Sequence, residues 1–223
     1  MAGSRFPDRP LAGILGLSEV LKEEAGELSA EQIVNYATNI ERSGQRLHRT
    51  LRNYLKILDL DQAANAAQPA RHADPLTTVD ALNLVEATAR SVAVKHSRGS
   101  DLNLQLRSGP AGIDREALAV FVEELAENAF GFSRHGTPVL VEFFAENGGA
   151  VLRITDKGRG MTGDQIDRVG AFMQFDRKRH EQQGLGLGLS LVGRMLERAA
   201  GKLSVQSVVG QGTTATVSLP NTN

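Results

Sequence analysis

The sequence predicts an α + α/β protein: an antiparallel helical hairpin, then a two-layer α/β sandwich with a mixed sheet and its helices on one face. Three observations carry this. Apolar residues recur in alternating steps of four and three from residue 33 to residue 58. An Ala-rich stretch with Pro and polar residues, "DQAANAAQPARHADP", follows with no steady apolar period. From about residue 77, helical patterns alternate with period-two patterns and glycine loops.

The first helix has Asp8 as a cap and Pro10 in its first turn, with Leu11, Ile14, Leu17 and Leu21 at helical spacing. It ends near Gly26. In "GELSAEQ", Ser29 and Gln32 stand three apart, a capping-box pattern that starts the second helix. Ile33, Ala37, Ile40, Gly44, Leu47, Leu51, Tyr54 and Leu58 form its seam. A lone hairpin leaves much of both seams in water, so a second copy is expected to complete a four-helix bundle. The predicted organisation is a homodimer through residues 10 to 62 within a hairpin at 5–62, a linker at 63–76, and the sandwich at 77–220.

In the sandwich, "VDALNLVEATARSVAVKH" reads as a helix and "DLNLQLRS" as a strand. "DREALAVFVEELAENAFGFS" is a helix with Asp114 as its cap. "TPVLVEFFAE" and "GAVLRITD" are strands joined at Asn147-Gly148-Gly149, a hairpin turn. A glycine loop, a short helix, a polar stretch, a second glycine loop and a further helix ending near Ala200-Gly201 come next. "KLSVQSVV" and "TTATVSLP" close as another hairpin.

Composition narrows the function. A formal net charge of −1 offers no global field for nucleic acid or an anionic membrane. With 4% aromatic residues and no Trp, base stacking also lacks material, and no nucleic-acid partner is expected. The absence of Cys excludes disulfides, thiolate zinc sites and cysteine nucleophiles, and agrees with a reducing compartment. No leader pattern and no bilayer-length apolar run is visible. The expectation is therefore a cytoplasmic chain with no membrane contact of its own.

Four features carry chemistry. Glu124 and Asn128, four apart in "EELAENA", share a helix face, and a carboxylate beside an amide oxygen suits a Mg²⁺ that also holds phosphates; the alternative is a solvated helix face. Asp156 in "TDKGRGM" ends a strand ahead of Gly158 and Gly160, so a fixed carboxylate can accept from an amine while the backbone approaches closely; the alternative is a capped tight loop. Gly184, Gly186 and Gly188 in "GLGLGLSLV" precede a helix whose first amides would face an anion. Neither a Walker loop nor a dinucleotide fingerprint fits there, and a mobile phosphate-binding lid does. In "GQGTT", Thr213 or Thr214 is placed to bond a phosphate or its waters, against the reading of a bulged hairpin.

In this order the features have a family. Residues 77–220 resemble the ATP-binding domain of sensor histidine kinases, of the GHKL superfamily, and the hairpin resembles the dimerisation module that precedes it. "EELAENA" is similar to the N box, "DKGRG" to the first glycine box, Phe172 and Phe175 in "FMQF" to the F box, and "GLGLGL" to the second glycine box. The resemblance implies a Bergerat-type fold binding ATP and Mg²⁺. It implies that Asn128 holds the metal and phosphates and that Glu124 is the acid/base residue. Asp156 would bind the adenine amine beside Gly158 and Gly160. Phe172, Phe175, Gly184, Gly186, Gly188 and Thr214 would complete the nucleotide site. One departure is that the family often has Lys three residues after the N-box Asn, where this chain has Gly131, with Arg134 nearby.

The first helix departs further. The family pattern is His-acidic-x-x-Thr/Asn-Pro-Leu, and aligning Pro10-Leu11 puts Arg5 at the His position, Phe6 at the acidic one and Arg9 at the Thr/Asn one. A permanently protonated guanidinium is no nucleophile, though it can bind an acidic group. Drift, or a cloning remnant in "MAGS", is the alternative account. His48, on the second helix, reads as a surface residue. Three readings follow: an ATP-binding kinase-like protein that cannot autophosphorylate at the usual place; an active kinase acting on a non-standard site or in trans; and a non-catalytic pseudokinase scaffold. The implied partners are a response-regulator receiver domain or another histidine kinase.

Overall fold

The computed structural model describes residues 10–65, 76–108, 114–167 and 187–220. The chain divides into two compact units, 1–56 and 57–223, and each is taken by itself.

The first unit is the hairpin. Helix α1 spans Pro10–Glu24, and helix α2 starts at Ala30. The turn between them is closed by the capping box read from the sequence: the Ser29 N–H donates to Gln32 Oε1 at 2.8 Å and the Gln32 N–H to Ser29 Oγ at 3.2 Å. Where the helices pack, Gly13 lies so close to Ser43 that a Cβ at 13 would sit 3.1 Å from its Oγ. Leu17 is buried, but Leu11, Leu15, Ile33, Val34, Leu51 and Tyr54 are exposed. Helix α2 continues to Asn65, into the stretch read as linker. The Ala residues that blurred the apolar period there are also the strongest helix formers. Residues 66–75 lie outside the described residues.

The second unit holds a five-stranded sheet in the order β1-β2-β3-β5-β4. The strands are β1 (Leu102–Leu106), β2 (Val139–Glu146), β3 (Gly149–Asp156), β4 (Lys202–Val208) and β5 (Gly212–Leu219). β1 pairs with β2 in parallel and the other neighbours are antiparallel, as expected of a mixed sheet. Helices α3 (Thr78–Lys95), α4 (Arg115–Phe132) and α5 (Leu187–Arg198) bury their apolar sides against one face of it. The core joins Val85, Ala89, Phe121, Leu125 and Val192 to Val141, Leu152 and Val217 of the sheet. Thr77 caps α3, accepting from the Asp80 N–H at 3.1 Å, and Asp114 caps α4, accepting from the Ala117 N–H at 2.7 Å. Asn147 and Gly148 both have positive φ, 51° and 79°, and link Glu146 to Gly149 in a two-residue turn.

A buried arginine ties the far end of α4 to the sheet. Arg98, 1% exposed, donates to the carbonyls of Phe130 (2.9 Å), Ser133 (3.0 Å) and Thr137 (2.8 Å) and to Asp101 Oδ2 (2.7 Å). Its guanidinium holds the Asp101 carboxyl below the usual carboxylate range. Nothing in the local sequence around Arg98 announces this role. No described helix is long and apolar enough to cross a membrane.

Candidate functional site

Helix α4 presents Glu124, Asn128 and Phe132 at four-residue spacing along one face. Glu124 is 2% exposed and packs on Gly188 in the first turn of α5, where any Cβ would collide with its carboxylate. Asn128 and Phe132 line a cavity of about 140 Å³ between α4 and the sheet, several times the space one water needs. Its walls are apolar, from Leu125, Ala129, Ile154, Leu189, Val205 and Ala215.

Asp156 stands at the end of β3 with 7% exposure. Burial pushes its carboxyl up, while hydrogen bonds from the Gly158 and Thr213 N–H groups and the charge of Arg98 work the other way. The Gly158 N–H reaches Oδ1 at 2.7 Å. A side chain at Gly158 would strike the Phe132 carbonyl and Asp156 itself, and Gly160, at φ 66°, lies against the Val208 carbonyl. The loop thus needs both glycines to fold over the end of α4. It is fastened to the β4–β5 hairpin by the Gly210 N–H on the Arg159 carbonyl (2.8 Å) and the Met161 N–H on Ser207 Oγ (2.8 Å). A partly desolvated carboxylate at one end of an apolar slot, with an amide side chain on its wall, suits a flat ligand carrying an N–H donor.

Of the residues read from the sequence, Asn128, Asp156 and Gly160 line this cavity, Gly158 holds Asp156, and Glu124 and Gly188 meet next to it. Thr214 does not line the cavity; its Oγ1 is 3.1 Å from Thr155 Oγ1. Strand alternation puts Thr213 and Ala215 on the cavity side of β5 and Thr214 on the other. Thr213 is therefore the hydroxyl at the site, its Oγ1 2.9 Å from Ser207 Oγ. Arg134 is exposed and does not line the cavity. Arg5, Phe172, Phe175, Gly184 and Gly186 lie outside the described residues. Phe132 and Arg159 were missed, although Phe132 continues the four-residue spacing from Glu124 and Asn128 and was within reach of the same rule. Glu127, buried between Lys95 Nζ (2.6 Å) and His96 Nε2 (3.0 Å), was also missed; it joins α4 to α3. Among the described residues no group of three or more His, Asp or Glu gathers as a metal site.

Residues 113–223 match the model of the histidine kinase-, DNA gyrase B- and HSP90-like ATPases, and the chain belongs to the sensor histidine kinase family, with a GHKL-type catalytic domain. Among its relatives is the histidine protein kinase DivJ of Caulobacter vibrioides, 27% identical over 95% of this chain and 35% of that kinase. Two solved structures share the fold: the Acinetobacter baumannii histidine kinase AdeS, at TM-score 0.60, 16% identity and 96% coverage of both chains, and full-length ShkA in complex with AMPPNP, at TM-score 0.59 and 23% identity over 95% of this chain and 43% of that one. The chain spans only 35% and 40% of the lengths of the first two curated relatives it matches.

Proposed function

We propose that this chain is the ATP-binding, dimer-forming part of a two-component signalling protein that does not autophosphorylate at the family's usual position. The observation that carries the nucleotide reading is Asp156: a buried carboxylate with a fixed Gly158 N–H on one oxygen, at the end of an apolar cavity bordered by Asn128. In this reading Asp156 accepts from the adenine amine, and Gly158 and Gly160 line the base. Gly184, Gly186 and Gly188 wrap the phosphates, with Phe172 and Phe175 in the lid.

Mg²⁺ fits the residues present. Asn128 offers one neutral oxygen, and Mg²⁺ is commonly held by one or two protein oxygens with phosphates and waters supplying the rest. When bound, the ion neutralises phosphate charge. Glu124, on the same face of α4, is the acid/base residue. The hairpin supplies the homodimer contact through residues 10–62; the exposed Leu51 and Tyr54 on the α2 seam support it. The partners are a receiver domain or another histidine kinase, in the cytoplasm, where ATP is available.

Two measurements test this. Calorimetric titration with ATP and Mg²⁺ is expected to give micromolar binding that Asp156→Ala abolishes; undiminished binding by that variant would remove the nucleotide reading. Incubation with γ-labelled ATP is expected to leave no acid-labile label on this chain, because Arg5 offers no nucleophile. Acid-labile label on it would favour the second reading, an active kinase with an unusual acceptor. Failure of the wild type to bind any nucleotide would favour the third, a scaffold.

A further inference from the structure

Helix α4 gives the cavity two ends. Beside the cavity at Glu124 lies Gly188, in the first turn of α5. At Phe132, eight residues and about 12 Å further along the helix, lies the loop from Lys157 to Gly160. Arg159 is pinned there through its backbone: its N–H donates to the Phe132 carbonyl at 3.3 Å, and its carbonyl accepts from the Gly210 N–H at 2.8 Å. Its side chain lines the cavity, with Cζ 4.6 Å from the centroid of the Phe132 ring. Phe132 is 52% exposed and Arg159 is exposed as well. No carboxylate pairs with Arg159 among the described residues.

We infer that Arg159 is a nucleoside-binding residue that closes the base end of the cavity with the plane of its guanidinium, an inference that rests on the nucleotide reading above. Position decides between base and phosphate. Arg159 follows Asp156 by three residues, and its loop supplies a hydrogen bond to that carboxylate. Gly188, the one described member of the glycine set assigned to the phosphates, sits against Glu124 toward the opposite end of α4. Arg159 therefore does not restore the cation missing at Gly131; it extends the slot beyond Phe132. A guanidinium suits this place because it is planar and weakly hydrated and stacks on rings, as it already does on Phe132.

The test is the affinity of the full chain for adenosine, ADP and ATP, measured for the wild type, Arg159→Ala and Arg159→Lys. Arg159→Ala is expected to weaken all three by the same factor, about 3- to 10-fold. Arg159→Lys is expected to recover little of it, because an ammonium lacks the plane. Unchanged affinities in Arg159→Ala would overturn the inference. So would a loss confined to ADP and ATP, which would place the guanidinium at the phosphates, or full recovery in Arg159→Lys. An unchanged melting temperature without ligand shows that the variants remain folded. A wild type that binds neither adenosine nor ATP would bring down the nucleotide reading itself, a result distinct from a wild type and a variant that bind equally well.

Discussion

At the scale of single residues, the nucleotide reading makes Asp156 a group whose protonation bears on both ligand and fold. Its carboxyl is raised in the native state by burial, and it must be ionised to accept from an amine without offering a competing O–H. In the nucleotide reading, affinity is therefore expected to fall as pH drops through the raised native value, and calorimetry over a descending pH series would show it. The stability effect has the opposite sign. The native state holds this proton to higher pH than the unfolded chain, so the group's contribution to stability diminishes as pH rises through the unfolded value toward the native one. Asp156→Asn should raise the melting temperature at pH 7 while removing base recognition; a lowered melting temperature would contradict this. Arg98 behaves differently. Arg98→Met would leave Asp101 and the carbonyls of Phe130, Ser133 and Thr137 without their guanidinium donor, and chemical denaturation should show a clear loss of stability. Asp101, lowered by Arg98, adds stability above its unfolded value that is lost as pH falls through the native one. In Arg98→Met that contribution is gone, so acid unfolding should begin at higher pH.

At the scale of elements, local chemistry was legible and register was not. Ser29 with Gln32, Asp114 ahead of α4, and Asn147-Gly148 each act within four residues, so their sequence spacing already contains the geometry. Glu124, Asn128 and Asp156 could be found because helix period and strand end place them without knowledge of partners. Thr213 against Thr214 could not be decided that way, since the choice depends on pairing with β3, where Asp156 faces Thr213. Arg98 was out of reach for a related reason: its carbonyl acceptors lie 32 to 39 residues away. Two substitutions probe element ends. Ser29→Ala should cost the hairpin about 1 kcal/mol by thermal unfolding. Gly188→Ala should cost about 1–3 kcal/mol, since its methyl group meets the buried Glu124 at the start of α5; an unchanged melting temperature would mean that the contact yields easily.

At the scale of the whole molecule, the proposed dimer contact at Leu51 and Leu55 and the proposed nucleotide cavity fall in different units. Leu51 and Leu55 are 54% and 59% exposed on α2. Introducing Glu at both is expected to give a monomer by light scattering, with adenosine affinity in the second unit unchanged. A variant that stays dimeric would place the assembly contact elsewhere.

The sheet order carries a consequence for how such a chain is made. β5 is the last strand of the described chain, yet it lies between β3 and β4 and gives Asp156 the Thr213 amide. While the ribosome still holds the residues after 212 in its exit tunnel, β3 has an open edge and the cavity has no Thr213 or Ala215. In the nucleotide reading, a nascent chain therefore gains its complete cavity only once synthesis has passed β5. Stalled chains ending before Gly212 should bind no nucleotide, and chains extended by a tunnel's length past Leu219 should bind it.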